Sequence, residues 1–230
     1  MGTETVRHYL AILKKICRIA FKKGHSDKYH FEFYRLPQQQ ERPPQVLSKE
    51  DFEKIRDVEL EGCRPENSIV RDMFLFARYA GTSYVDVVAI TTENLSKDDN
   101  GTLWLKYYRG KNGHLSRVKL LPEAIVLIKK YKDETRPTLF PVIPYQALKW
   151  FLTSIKIKIG IKGHLSYRMA WHSFSTLITL ENGVPIETVS KMLGHSDITT
   201  TQIYARVTPK KLFENMDKYI ESTKDLRLIL

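Results

Sequence analysis

The chain has 230 residues, and its 37 Lys and Arg against 26 Asp and Glu give a formal net charge of +11, with 42% hydrophobic residues. This is the composition of a folded globular protein, either one large domain or one with a small companion, and it excludes a disordered tail or a collagen-like repeat. No run approaches the roughly 20 apolar residues of a membrane span, and the N-terminal stretch MGTETVRHYLAILKK has no apolar signal region. Cys17 and Cys63 are too few for a disulfide framework, so a reducing, cytoplasmic setting is expected. Seven His and two Cys lack the paired spacing of zinc ligands, and no metal is expected. The basic surplus implies a polyanionic partner.

Along the chain, residues 1–44 hold nine basic against four acidic residues, a net +5, which is nearly half of the excess in a fifth of the length. Val6, Tyr9, Leu10, Leu13, Ile16, Cys17 and Ala20 recur at helical spacing, with Lys14, Lys15, Arg18, Lys22 and Lys23 mostly between them. That pattern predicts a basic amphipathic helix ending near Gly24, whose five cations are candidates to meet the polyanionic partner. Residues 36–46 (LPQQQERPPQV) form a predicted linker, since three prolines forbid regular pairing. The expected division is a helical segment with its linker at 1–44 and a main domain at 45–230. Ser48 to Asp51 fits a capping box that opens a helix. Ile69 to Ala80 reads as an apolar helix stopped by Gly81, followed by a short helical run from Tyr84 to Ile90. TLWLKYY and LSRVKLL flank Asn112-Gly113, a strong hairpin signal. Helices are predicted near 122–133, 145–159, 166–181, 185–193, 197–206 and 208–224. The expected class is therefore α+β, mainly α, with one small antiparallel sheet.

The most specific string lies in the last third of the chain. It runs from Gly183 to Ser196 as GVPIETVSKMLGHS, followed by Thr199-Thr200-Thr201-Gln202-Ile203-Tyr204-Ala205. Leu193-Gly194-His195 ends nine residues before Tyr204. This resembles the C-terminal signature of the tyrosine recombinases, the phage-integrase family, over roughly residues 47–215. Its wording is most similar to the branch in Bacteroidetes mobile elements. The resemblance implies a tyrosine-recombinase catalytic domain with the DNA breaking-rejoining enzyme fold. Residues 1–44 would then be part of a core-binding domain that normally has about four helices, so a fragment or an unusually short gene is expected.

The implied activity is site-specific recombination, cleaving and rejoining duplex DNA through a 3′-phosphotyrosine without metal or other cofactor. A phenol of pKa about 10 is a poor nucleophile at neutral pH unless its proton and its charge are both provided for. The extra charge on the phosphorane oxygens needs guanidinium or other cationic donors, and the leaving 5′-oxygen needs an acid. By resemblance, Tyr204 is the nucleophile, His195 a donor to the scissile phosphate, and Lys111, in the hairpin turn, the general acid.

Two positions depart from the family pattern. Ser83 stands where the first arginine is usual, and Arg109, two residues before Lys111, is expected to serve instead. The His-x-x-Arg motif aligns with Arg168-Met169-Ala170-Trp171, so Arg168 replaces the histidine and uncharged Trp171 the arginine. Arg168 is expected either to project into the place of the missing clamp or to touch DNA only passively. The adjacent His172 could be recruited, although the family's neighbouring position is usually structural. The alternative to an active or attenuated recombinase is a catalytically degenerate DNA-binding protein with the same fold, and a third reading is a basic regulatory domain with Tyr204 merely packed. The resemblance further implies a homotetramer on DNA, a monomer when free, no membrane association, and action at the nucleoid of a bacterial cytoplasm. The apolar tip Leu226 to Leu230 suits docking.

Overall fold

The computed structural model describes residues 3–36, 44–205, 216–218 and 220–221. The chain divides into two compact units, Met1–Arg42 and Pro43–Leu230. In the first, α1 (Thr3–Lys22) is followed by a turn whose aromatic rings pack on one another, with Phe31 edge-on to Tyr34 at 5.7 Å. Its apolar positions Tyr9, Ile16 and Ile19 are exposed. No helix among the described residues is long and apolar enough to cross a membrane.

The second unit is built around one buried helix. After α2 (Lys49–Asp57), which Ser48 caps by accepting the Asp51 N–H at 3.0 Å, comes α3 (Pro65–Ala80). Proline at its first turn is tolerated because that N–H has no intrahelical partner. Val70, Met73, Phe74, Phe76, Ala77 and Ala80 of α3 are wholly buried. The charge it carries inward is matched: Asp72 accepts from Lys130 Nζ at 2.6 Å, Tyr131 Oη at 2.8 Å and Arg71 Nε at 2.8 Å. A buried carboxylate left without such partners would cost several kcal/mol.

Gly81 ends α3 with φ +63°, its N–H donating to the Ala77 carbonyl. Next come α4 (Tyr84–Val87), β1 (Leu95–Lys97), β2 (Leu103–Tyr108) and β3 (Leu115–Lys119). The three strands form an antiparallel sheet in chain order, with Leu105 opposite Leu95 and Val118. The strand period of two turns Leu105 and Tyr107 inward together with Ser116 and Val118. Helices α5 (Pro122–Tyr131), α6 (Tyr145–Lys158) and α7 (Tyr167–Ser173) close on α3, and Tyr167 Oη donates to the Met73 carbonyl at 3.0 Å. The chain ends its described part with α8 (Ile186–Met192) and α9 (Thr199–Gln202). Val118, Phe174, Leu180, Val189, Leu193 and Tyr204 make a second, smaller core.

The mainly helical class with one small sheet is as the sequence predicts, but several boundaries differ. The helix from Tyr84 stops at Val87, because Ile90 turns in to pair its carbonyl with the Leu139 N–H at 2.8 Å. The strand β1 has no signal in three residues. The single helix expected over 166–181 is α7, then a widened π-helical stretch, Phe174–Thr179, then a tight turn, Leu180–Asn182. Ser175, Thr176 and Thr179 each donate a hydroxyl to the carbonyl four residues back, a competition that loosens regular helix. The expected linker lies partly, and the helix at 208–224 mostly, outside the described residues, as does the tip Leu226 to Leu230.

A Cβ at Gly81 would lie 2.5 Å from Cδ1 of Phe174, on a left-handed backbone. Gly81→Ala is expected to destabilise the fold by about 2–4 kcal/mol from overpacking and backbone strain together. Gly101 has the same sign of φ but open space around it, so Gly101→Ala should cost only about 1 kcal/mol. Urea midpoints of the two variants measure the difference.

Candidate active site

The site is assembled where the hairpin meets the end of α8. Arg109 continues the inward series of Leu105 and Tyr107, and only 8% of it is exposed. Its Nη1 donates to the Leu193 carbonyl, Asn112 Nδ2 donates to the Gly194 carbonyl at 3.2 Å, and Ser116 Oγ donates to the Met192 carbonyl. The last carbonyls of a helix have no partners within it, and here the hairpin supplies a donor to three in succession. A guanidinium at that end also meets the negative pole of the helix. Gly194, with φ +59°, is required for the approach: a Cβ there would lie 2.8 Å from Arg109 Cδ.

Arg109 is anchored a second time by Asp86, whose Oδ2 lies 3.4 Å from Nε. The same buried carboxylate accepts from Ser83 Oγ at 2.6 Å and from the Gly110 N–H at 3.0 Å. Ser83, at the position where the resemblance leads one to look for an arginine, therefore caps α4 and fixes Asp86.

Tyr204 is 5% exposed, and its Oη lies 2.9 Å from Nδ1 of His172. Trp171 is the common neighbour: its ring stands perpendicular to Tyr204 at 5.8 Å, meets His195 edge-on at 5.8 Å and lies 5.2 Å from His172. The Arg109 guanidinium lies over the Trp171 ring at 5.4 Å. Trp171 Nε1 is buried without a hydrogen-bond partner. Trp171 thus both packs on the second core and walls the site. His195 Nδ1 is held by Thr201 Oγ1 at 2.8 Å.

Burial governs the protonation of these groups. It pushes His172 down to about 4, helped by the nearby charge of Arg168, and His195 down to about 4, helped by Arg109 and Lys111. Both imidazoles are therefore neutral at pH 7. Burial raises the Tyr204 phenol well above its ordinary value, against the opposing pull of Arg168 and Arg109.

Of the residues singled out in the sequence, Tyr204, His195 and Arg109 meet around Trp171. The exposed Lys111 and Arg168 reach the same place through their charges. The α1 residues belong to the other unit, where Lys14 Nζ donates to the Tyr34 carbonyl at 2.6 Å and Arg18 lies over the Tyr29 ring, while Lys15, Lys22 and Lys23 are exposed. Three functional side chains were missed or left open by sequence reasoning: Asp86, Thr201 and the tyrosine partner His172. Ser83-x-x-Asp86 was readable as a helix-start pattern, whereas His172 and Tyr204 stand 32 residues apart with no shared motif.

Comparison with known proteins gives the family. The Phage integrase family profile matches residues 45–211. The tyrosine recombinase XerC of Pediococcus pentosaceus is 25% identical over 243 residues, covering 98% of this chain and 78% of that protein. The tyrosine recombinase XerA of Thermococcus onnurineus is 28% identical over 253 residues, covering 94% and 83%. In fold, the chain is similar to XerH recombinase bound to a palindromic difH substrate in a post-cleavage complex. The TM-score is 0.73 at 17% identity, over 95% of this chain and 68% of that one. It is also similar to a lambda integrase dimer bound to a COC′ core site, with a TM-score of 0.71 at 14% identity, over 89% and 59%. The hairpin, the Leu-Gly-His turn and the tyrosine thus come together in a chain that belongs to the phage integrase family.

Proposed function

We propose that this protein is a site-specific recombinase that cleaves and rejoins duplex DNA through a covalent 3′-phosphotyrosine. The observation that carries the reading is the grouping of Tyr204, His195 and Arg109 around Trp171, with the charges of Arg168 and Arg109 acting on the phenol and that of Lys111 on His195. Tyr204 Oη attacks phosphorus, the bond to the 5′-oxygen breaks, and Lys111 gives that oxygen a proton. Attack by the 5′-hydroxyl of another strand reverses the sequence. His195 Nδ1 lies 2.8 Å from Thr201 Oγ1; in the reading proposed the hydroxyl donates, so the ring proton sits on Nε2 and serves as a donor to a non-bridging oxygen. Arg168, exposed and close enough to act on both Tyr204 and His172, supplies a guanidinium for the phosphate. Arg109 adds fixed positive potential and positions the hairpin.

Membership of the family extends the proposal to assembly and place. Residues 1–44 supply part of a DNA clamp through Lys14, Lys15, Arg18, Lys22 and Lys23. The protein acts as a homotetramer on DNA and is monomeric when free, in a bacterial cytoplasm.

A second reading rests on Trp171. An indole has one neutral donor and cannot replace a bidentate guanidinium, so a protein that binds DNA without cutting it is the competing outcome. Both readings predict binding that weakens steeply with salt, reflecting released counterions.

Duplex fragments of the source genome incubated with the protein in EDTA, then denatured, are expected to yield a covalent adduct at a defined sequence. Tyr204→Phe should abolish it. Its absence from wild type, together with its appearance in Trp171→Arg, would favour the second reading. Gly194→Ala, which pushes on Arg109, is expected to slow adduct formation by about 10²-fold while DNA binding persists, a loss like that of one oxyanion donor.

A further inference from the structure

Every recombinase of this chemistry must remove the proton of its tyrosine, and here the position where the family motif has histidine holds Arg168. A guanidinium keeps its proton at any ordinary pH and cannot accept another. The structure nonetheless places one imidazole against the phenol. His172 lies one helical turn beyond Arg168 on α7, is 7% exposed, and brings Nδ1 to 2.9 Å from Tyr204 Oη. The two rings are 5.4 Å apart between centroids, both flanked by Trp171.

We infer that His172 is the general base of this enzyme: its Nδ1 takes the Tyr204 hydroxyl proton as Oη bonds to phosphorus. The inference rests on the recombinase reading given above. The step balances within the chain. The Oη–H bond breaks and the proton passes to the lone pair of Nδ1, giving an imidazolium. The Oη–P bond forms, the P–O5′ bond breaks, and the 5′-oxygen takes a proton from Lys111, leaving an amine. Rejoining runs the same transfers backward, His172 returning its proton to Tyr204 and Lys111 recovering its own from the attacking hydroxyl.

Three features of the surroundings suit the role. The ring is neutral at pH 7, so its lone pair is available. Contact already exists at hydrogen-bond distance, which general-base geometry requires. The charges acting on the pair, Arg168 from the same helix as His172 and Arg109 from the hairpin, are guanidinium groups that do not titrate with it. They favour the tyrosinate and oppose the imidazolium, so the transfer is completed only when a phosphate brings negative charge to them. Trp171, unable to titrate, shields the pair without competing for the proton.

The test compares wild type and His172→Gln in single-turnover adduct formation on the duplex found by genomic trapping, with Tyr204 either natural or replaced by 2,3,5-trifluorotyrosine, whose phenol ionises near neutral pH. With natural tyrosine the variant is expected to be slower by about 10²–10⁴-fold, the usual share of a general base. With trifluorotyrosine, whose phenol gives up its proton far more readily, most of that deficit should vanish as the pH is raised through the alkaline range. A deficit undiminished with the fluorinated phenol over that range would overturn the inference, because it would assign His172 to packing alone. Equal or faster cleavage by His172→Gln would overturn it too, the faster case marking the hydrogen bond as a lock on the nucleophile. No adduct from wild type overturns the recombinase reading and this inference together, whereas an adduct with no His172 dependence overturns only the latter. DNA binding by the variant controls for folding, and His172→Asn carries the same comparison should Gln disturb the helix.

Discussion

Three consecutive carbonyls at the end of α8, those of Met192, Leu193 and Gly194, receive donors from one β-hairpin, and the site exists because they do. A helix end buried in protein needs partners for its carbonyls. Ser116, Arg109 and Asn112 supply them, and in doing so they fix the distance between the sheet and the turn that carries His195. Cut that clasp and the two halves of the site lose their common reference. Lys111 would no longer be held near His195, and Arg109 would no longer lie over Trp171.

The clasp has its own support, and it explains what Ser83 does. Asp86 is almost fully buried and would be costly without compensation. It gains the Ser83 hydroxyl, the Gly110 N–H and the Arg109 guanidinium. An arginine at position 83 would present a second cation beside the first. With serine there, the carboxylate is free to hold Arg109 from behind while the Leu193 carbonyl holds it in front. Loss of one cation and fixation of another are two sides of one arrangement.

Much of this was legible in the residues. Asn112-Gly113 marked the hairpin, and Gly81 marked the end of α3. The spacing of His195 to Tyr204 brought the two into one motif. Other features lay beyond local pattern. Strand β1 is too short to carry a period, and the widened turn after α7 comes from hydroxyl-to-carbonyl bonds that propensity does not register. His172 was hidden for a different reason. Its partner is distant in the chain, and the contact arises from the packing of Trp171 on a second core that no single segment specifies.

That packing also sets the resting state of the chemistry. Removing water from Tyr204, His172 and His195 disfavours every charged form among them, so the phenol stays protonated and both rings stay neutral. The surrounding positive charges, Arg109, Arg168 and Lys111, are kept at the margin or tied to backbone. With the roles proposed above, a free site of this kind holds a nucleophile that cannot ionise on its own and a base that resists its proton. An arriving phosphodiester changes both at once. Its negative charge offsets the Arg168 charge that adds to burial in holding His172 down, and its phosphorus gives the phenolate oxygen a bond in place of a proton. In the proposed chemistry cleavage is thereby made contingent on DNA by desolvation, to which the packing of Trp171 on the second core contributes.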